Sequence, residues 1–86
     1  PRLGLEAPPE LIIRKVRTRW GSCSKDGRIL INAEAFRLPV GCIDYLLVHE
    51  LCHLRYPRHD RAFWLHVARC MPDWRQWKAR LESFDE

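Results

Sequence analysis

The sequence predicts a single small α+β domain. Three observations carry that reading. β-branched apolar runs flank a turn signal in the first third; apolar residues recur at helical spacing through the middle; and two shorter helical stretches close the chain, each introduced by an aspartate. The expected architecture is a small sheet containing an antiparallel hairpin, packed on the long central helix and two further C-terminal helices. A chain of 86 residues supports one domain, residues 1–86, with a core only modestly above the size at which small proteins need staples. An apolar content of 47% and four tryptophans make this a packed globule and not a disordered segment.

Residues 1–10, with Pro1, Gly4, Pro8 and Pro9, read as an irregular lead-in. The chain opens on Pro1 without an initiator methionine, so it reads as a piece of a longer protein or a processed product. Residues 11–18 are rich in Ile and Val and read as a strand. Asp26-Gly27 is a hairpin turn signal, and residues 28–32 beyond it form the next strand. An antiparallel hairpin is therefore expected, with Trp20, Gly21, Ser22, Cys23 and Ser24 in its bend or its first arm. Pro39 precedes a helix expected over residues 40–56, with Ile43, Leu46, Leu47, Leu51 and Leu54 as its core stripe. Asp60 is placed to cap a short helix holding Phe63, Trp64, Val67 and Ala68, which Pro72 ends. Asp73 is placed to cap the last helix, which carries Trp74, Trp77 and Leu81.

The chemistry concentrates in His49-Glu50-Leu51-Cys52-His53, an instance of H-E-x-x-H on the central helix. Histidines four apart sit about 40° apart in azimuth and about 6 Å apart along a helix axis, so both imidazoles can reach one ion. Glu50 lies roughly 60–100° around the helix from them, near enough to meet a water at the ion without itself being a ligand. Continued as helix, His59 would point about 240° away from His53. Pro57 lacks an N–H and disfavours helical geometry at Tyr56, so the helix is expected to stop and the turn to bring His59 back. Two neutral nitrogen ligands and a carboxylate base on one face are what zinc-assisted peptide hydrolysis requires. The third-histidine spacing is also that of metzincins. Their turn glycine is Tyr56 here and no Met-turn follows, which sets this chain apart from that group.

Other residues admit two readings. Trp20, Gly21, Ser22 and Cys23 either line a substrate groove or make a tight bend under a core tryptophan. Tyr45, one turn before His49, either contacts the site or packs. His66 is expected at the surface or behind the ligands, since a catalytic zinc keeps a position open for water. Asp60 orients His59 or simply caps. The four cysteines include no C-x-x-C pair, which argues against a structural metal site built from them. They read as reduced, small core residues of a cytoplasmic protein. No run is long and apolar enough for a membrane span, and no secretory signal is present. The net charge of +4 comes with basic clusters at Arg14, Lys15, Arg17 and Arg19 and at Arg55, Arg58 and Arg61. These suit a nucleic-acid footprint or solvated faces, and the lack of an RNP-like or helix-turn-helix motif favours the latter.

With these residues in place, the chain resembles the YgjP-type metallopeptidase-like proteins, relatives of the SprT-like and WLM zinc proteases. The matching segments are Arg19-Trp20-Gly21-Ser22-Cys23-Ser24, then Gly27-Arg28-Ile29-Leu30-Ile31-Asn32, then Ile43-Asp44-Tyr45 leading into the histidine motif. His59 with Phe63-Trp64, and Pro72-Asp73-Trp74, complete the match. The resemblance implies a zincin-like core, zinc as the cofactor, His49, His53 and His59 as its ligands, and Glu50 as catalytic base. It also implies a helix ahead of the first strand, of which Pro1 to Leu5 would be the tail.

The activity expected is zinc-dependent hydrolysis of a peptide or protein substrate. The alternatives are a DNA-associated SprT/WLM-like protease and a catalytically silent, zinc-stabilised binding module. In the zincin proteases the chain resembles, the strand corresponding to residues 28–32 is a sheet edge beside the zinc. Leu30, Ile31 and Asn32 are therefore expected to bind substrate by adding an extended peptide to the sheet.

Overall fold

The structure is a computed structural model and describes residues 9–84. The lead-in and the helix tail expected at Pro1 to Leu5 lie outside the described residues, and Glu10 already belongs to the first strand.

Strands β1 (Glu10–Arg14), β2 (Gly21–Cys23) and β3 (Arg28–Asn32) are followed by a 3-10 helix (Ala33–Arg37) and by helices α1 (Val40–His53), α2 (Arg61–Cys70) and α3 (Trp74–Glu82). The α+β class is as the sequence predicts, but the sheet is mixed. Its order is β1-β3-β2, with β1 parallel and β2 antiparallel to β3. The hairpin across Asp26-Gly27 is made by β2, the first-arm alternative, while β1 lies on the other side of β3. Both β1 and β2 meet the C-terminal end of β3, where Arg14 pairs with Asn32 and Gly21 with Ile31. The intervening residues thus need only cross over the end of one strand.

Burial explains why β3 takes the centre. Ile29, Leu30 and Ile31 are consecutive and all buried, so both faces of the strand are covered, which is the environment of a central strand and not an edge. The expectation that Leu30, Ile31 and Asn32 form a substrate-binding edge is therefore corrected. Their backbone is paired on both sides. Asn32 is occupied structurally: its Nδ2 donates to the carbonyls of Val16 (3.0 Å) and Arg19 (2.8 Å) and its Oδ1 accepts from the Glu34 amide (3.0 Å). One side chain ties down the β1–β2 crossing and caps the 3-10 helix.

Helix α1 lies between the sheet and the other two helices, and Cys42, Tyr45, Leu46, Glu50 and Cys52 are its buried residues. Of the stripe read from the sequence, Leu46 is buried, whereas Ile43, Leu47, Leu51 and Leu54 are half-buried. The other face of α1 receives α2 and α3. Gly41 admits the Trp77 ring of α3, since a Cβ there would come within 2.3 Å of it. Asp60 caps α2 as expected, its Oδ1 accepting from the Phe63 amide at 3.1 Å. Asp73 stands at the N-cap of α3 but makes no cap bond; its carboxylate accepts from Trp77 Nε1 at 3.0 Å.

Candidate metal centre

Helix α1 ends at His53, earlier than the periodicity suggests. The amides of Arg55 and Tyr56 both turn back to the Cys52 carbonyl at 3.1 and 2.9 Å, and Pro57 cannot extend the helix. The turn returns His59 to the end of α1, immediately before the Asp60 cap. The three Nε2 atoms then converge: His49 to His53 is 3.2 Å, His53 to His59 is 2.8 Å, and His59 to His49 is 3.1 Å.

An imidazole Nε2 carries either a proton or a lone pair, so three cannot close a mutual ring of hydrogen bonds. His53 Nδ1 faces the Tyr56 carbonyl at 3.2 Å, which can only accept; this favours the tautomer with the proton on Nδ1 and the lone pair on Nε2. His49 Nδ1 is held by the Tyr45 hydroxyl at 3.0 Å. Partners of this kind fix ligand tautomer and orientation in metal sites. Tetrahedral coordination with metal–nitrogen distances near 2.0–2.1 Å needs nitrogens about 3.3–3.4 Å apart. A cation at the centre satisfies all three nitrogens with a shift of a few tenths of an ångström, and the donor set fits a metal ion.

The surroundings favour the neutral form of His49 and His59. Burial first, then the proximity of His53 and His59, pull the His49 pKa down to about 4; His59 is lowered by burial and then by His53. Beneath them lies Phe63, fully buried, its ring stacked on His53 with centroids 4.5 Å apart. Trp64 stacks on His59 at 5.7 Å. The motif Phe63-Trp64, legible only as packing in the sequence, is the floor of the site. Tyr45 resolves both ways: it is buried and it also holds His49.

Glu50 is only 7% exposed and is not among the side chains whose ligating atoms cluster with the imidazoles. Burial pushes its pKa up to about 7, with Arg19 pulling in the opposite direction. Gly21 lies against it: a Cβ there would stand 3.2 Å from Glu50 Oε2 and 3.0 Å from the Leu30 carbonyl, tight enough to press on the carboxylate.

Two clefts open on the triad. One of about 440 Å³ is lined by Trp20, Tyr45, Trp64 and Lys78 together with His49, Glu50 and His59. The other, about 370 Å³, runs along Gly21, Ser22, Cys23, Ser24 and Lys25 past Glu50, His53 and His59. The residues left open as groove or bend line these clefts, while Trp20 and Cys23 also pack against the core, and β2 is the strand beside the site.

His66 stands apart from the triad. Among the described residues a second group of potential ligands forms from Cys52, His66 and Cys70. The missing C-x-x-C pair does not exclude such a cluster, because His66 and Cys70, at i, i+4 spacing, share one face of α2. All four cysteines are free thiols, Cys42 and Cys52 buried, Cys23 half-buried and Cys70 exposed. The last is not the core residue expected. No helix among the described residues is long and apolar enough to cross a membrane.

Three imidazoles converging from a helix and the turn behind it, with a buried carboxylate alongside, define a metallopeptidase-like domain. The sequence profile of the YgjP-like metallopeptidase domain matches residues 1–84, and the chain belongs to that family. A search of curated proteins gives no match. Among solved structures, the metallopeptidase zymogen abylysin of Pyrococcus abyssi is similar, with a TM-score of 0.80 and 27% identity over 94% of this chain and 82% of that one.

Proposed function

We propose that this domain, residues 1–86, is a zinc-dependent peptidase whose ligands are His49, His53 and His59 and whose general base is Glu50. The convergence of three Nε2 atoms within 3.2 Å of one another supports the reading most directly. Three imidazole donors with a fourth position left for solvent suit zinc. Bound there, zinc supplies Lewis acidity toward a carbonyl oxygen and brings the ionisation of water toward neutral pH. Glu50 accepts the proton of the attacking water and passes it to the leaving amine. Burial, by raising its pKa, makes it a stronger base than a solvated carboxylate. Tyr45 and the Tyr56 carbonyl hold the imidazoles in orientation. The four free thiols fit a reducing, cytoplasmic setting. The test is cleavage of a mixed peptide library: activity should vanish on chelation and return with stoichiometric zinc. Cleavage that survives complete metal removal would overturn the proposal.

The substrate is a peptide or protein segment held in extended form along β2. The Ser24 amide donates to Arg28 O and the Asn32 amide to Trp20 O, so alternate residues of β2 face β3. By that alternation the N–H and C=O groups of Gly21 and Cys23 face outward, along the cleft beside Glu50. Recognition through main-chain bonds gives broad sequence tolerance. Cys23→Pro removes an outward N–H and leaves the ladder intact. It should raise KM about tenfold, the effect of about 1.4 kcal/mol from one lost hydrogen bond, with zinc content unchanged. An unaltered KM would remove β2 from substrate binding.

A further inference from the structure

We propose that Cys52, His66 and Cys70 form a second metal site, for a thiophilic cation such as Zn²⁺, that clamps α1 to α2. His66 and Cys70 are four residues apart on α2 and share a face; Cys52 comes from the last turn of α1. Their ligating atoms all lie within 4.8 Å of one another, with Cys70 Sγ 3.9 Å from His66 Nε2. Zinc–sulfur and zinc–nitrogen distances near 2.3 and 2.0–2.1 Å at tetrahedral angles require about 3.6 Å between S and N and about 3.8 Å between sulfurs. Closing to that geometry needs rotamer adjustments of under about 1 Å, on two side chains that are free to make them. Cys52 is the buried anchor, His66 is half-buried and Cys70 is exposed, so an ion has a path in and solvent can complete the coordination.

The two sites differ in chemistry and in place. The triad offers three nitrogens, whereas this one offers two sulfurs and a nitrogen. Cys52 stands about 100° around the helix from His53 and about 60° from His49, on the side away from Glu50. A bond between α1 and α2 here spans the segment 54–60, whose only ligand to the first site is His59. The clamp shortens the free loop that must place that imidazole, and it staples a small core. Binding replaces the protons of both thiols, which leave to solvent as the two metal–thiolate bonds form.

The experiment is Co²⁺ loading of the purified protein under a phosphine reductant, with metal content, intact mass and near-ultraviolet absorption measured together. Wild type should take up about two ions per chain and show thiolate-to-cobalt charge-transfer absorption, which an all-imidazole site cannot give. Cys70→Ser and His66→Asn, at exposed and half-buried positions, should each lose one ion and most or all of that absorption. His59→Ala should lose the other ion and keep it. The thermal midpoint of Cys70→Ser should fall below wild type only when metal is present, because binding to the native state is what stabilises it. A single ion per chain without thiolate absorption overturns the proposal.

Discussion

Glu50→Gln is expected to leave metal content and fold intact and to lower kcat by about 10²–10⁴-fold, the usual cost of removing a general base. Glutamine has nearly the same volume and fits the space that Gly21 leaves beside residue 50. Its amide is neutral and cannot accept the proton of the attacking water. Burial already disfavours the charged form of this carboxylate, so an uncharged replacement should not weaken the fold. The measurement is kcat and KM on a peptide that wild type cleaves, with metal content checked in the same preparations. Undiminished cleavage with Gln at this position would require another base. A wild-type protein that binds metal and cleaves nothing would instead favour the silent binding module.

His59→Ala should cost more in metal affinity than any other single change near the triad, apart from the loss of His49 or His53 themselves. Residues that merely orient ligands are worth about 10–100-fold in metal affinity, so deleting one of three ligands should exceed about 100-fold. The side chain is exposed, and its removal opens no cavity in the core. The fold should therefore survive, and the loss can be read as coordination and not as unfolding. A competition titration with a chromophoric chelator measures it, in a Cys70→Ser background so that only the triad is counted. His66→Ala in the same background should leave the triad affinity unchanged. Equal affinity with and without His59 would overturn the three-histidine assignment.

What the sequence determined by itself lies within short stretches of chain. The spacing of His49 and His53 puts both on one helix face, Pro57 stops that helix, and Asp60 starts the next; together these return His59 to the site. Asp26-Gly27 makes its turn for equally local reasons. Each of these follows from backbone sterics and hydrogen bonding over a few residues, which the sequence states directly.

The tertiary structure decided which strand is central, which edge faces the site and which distant side chains meet. The consecutive apolar residues Ile29, Leu30 and Ile31 were a legible sign of a strand buried on both faces. The family resemblance implied an edge there, against that sign. That β1 lies parallel on one side of β3 and β2 antiparallel on the other has no local signature, since it depends on where the whole chain buries its apolar surface. The meeting of Cys52 with His66 and Cys70, and the stacking of Phe63 under the imidazoles, likewise follow from how α2 docks on α1. Helix period fixes a side chain's azimuth on its own helix; the partner it meets is set by packing, a property of the assembled core.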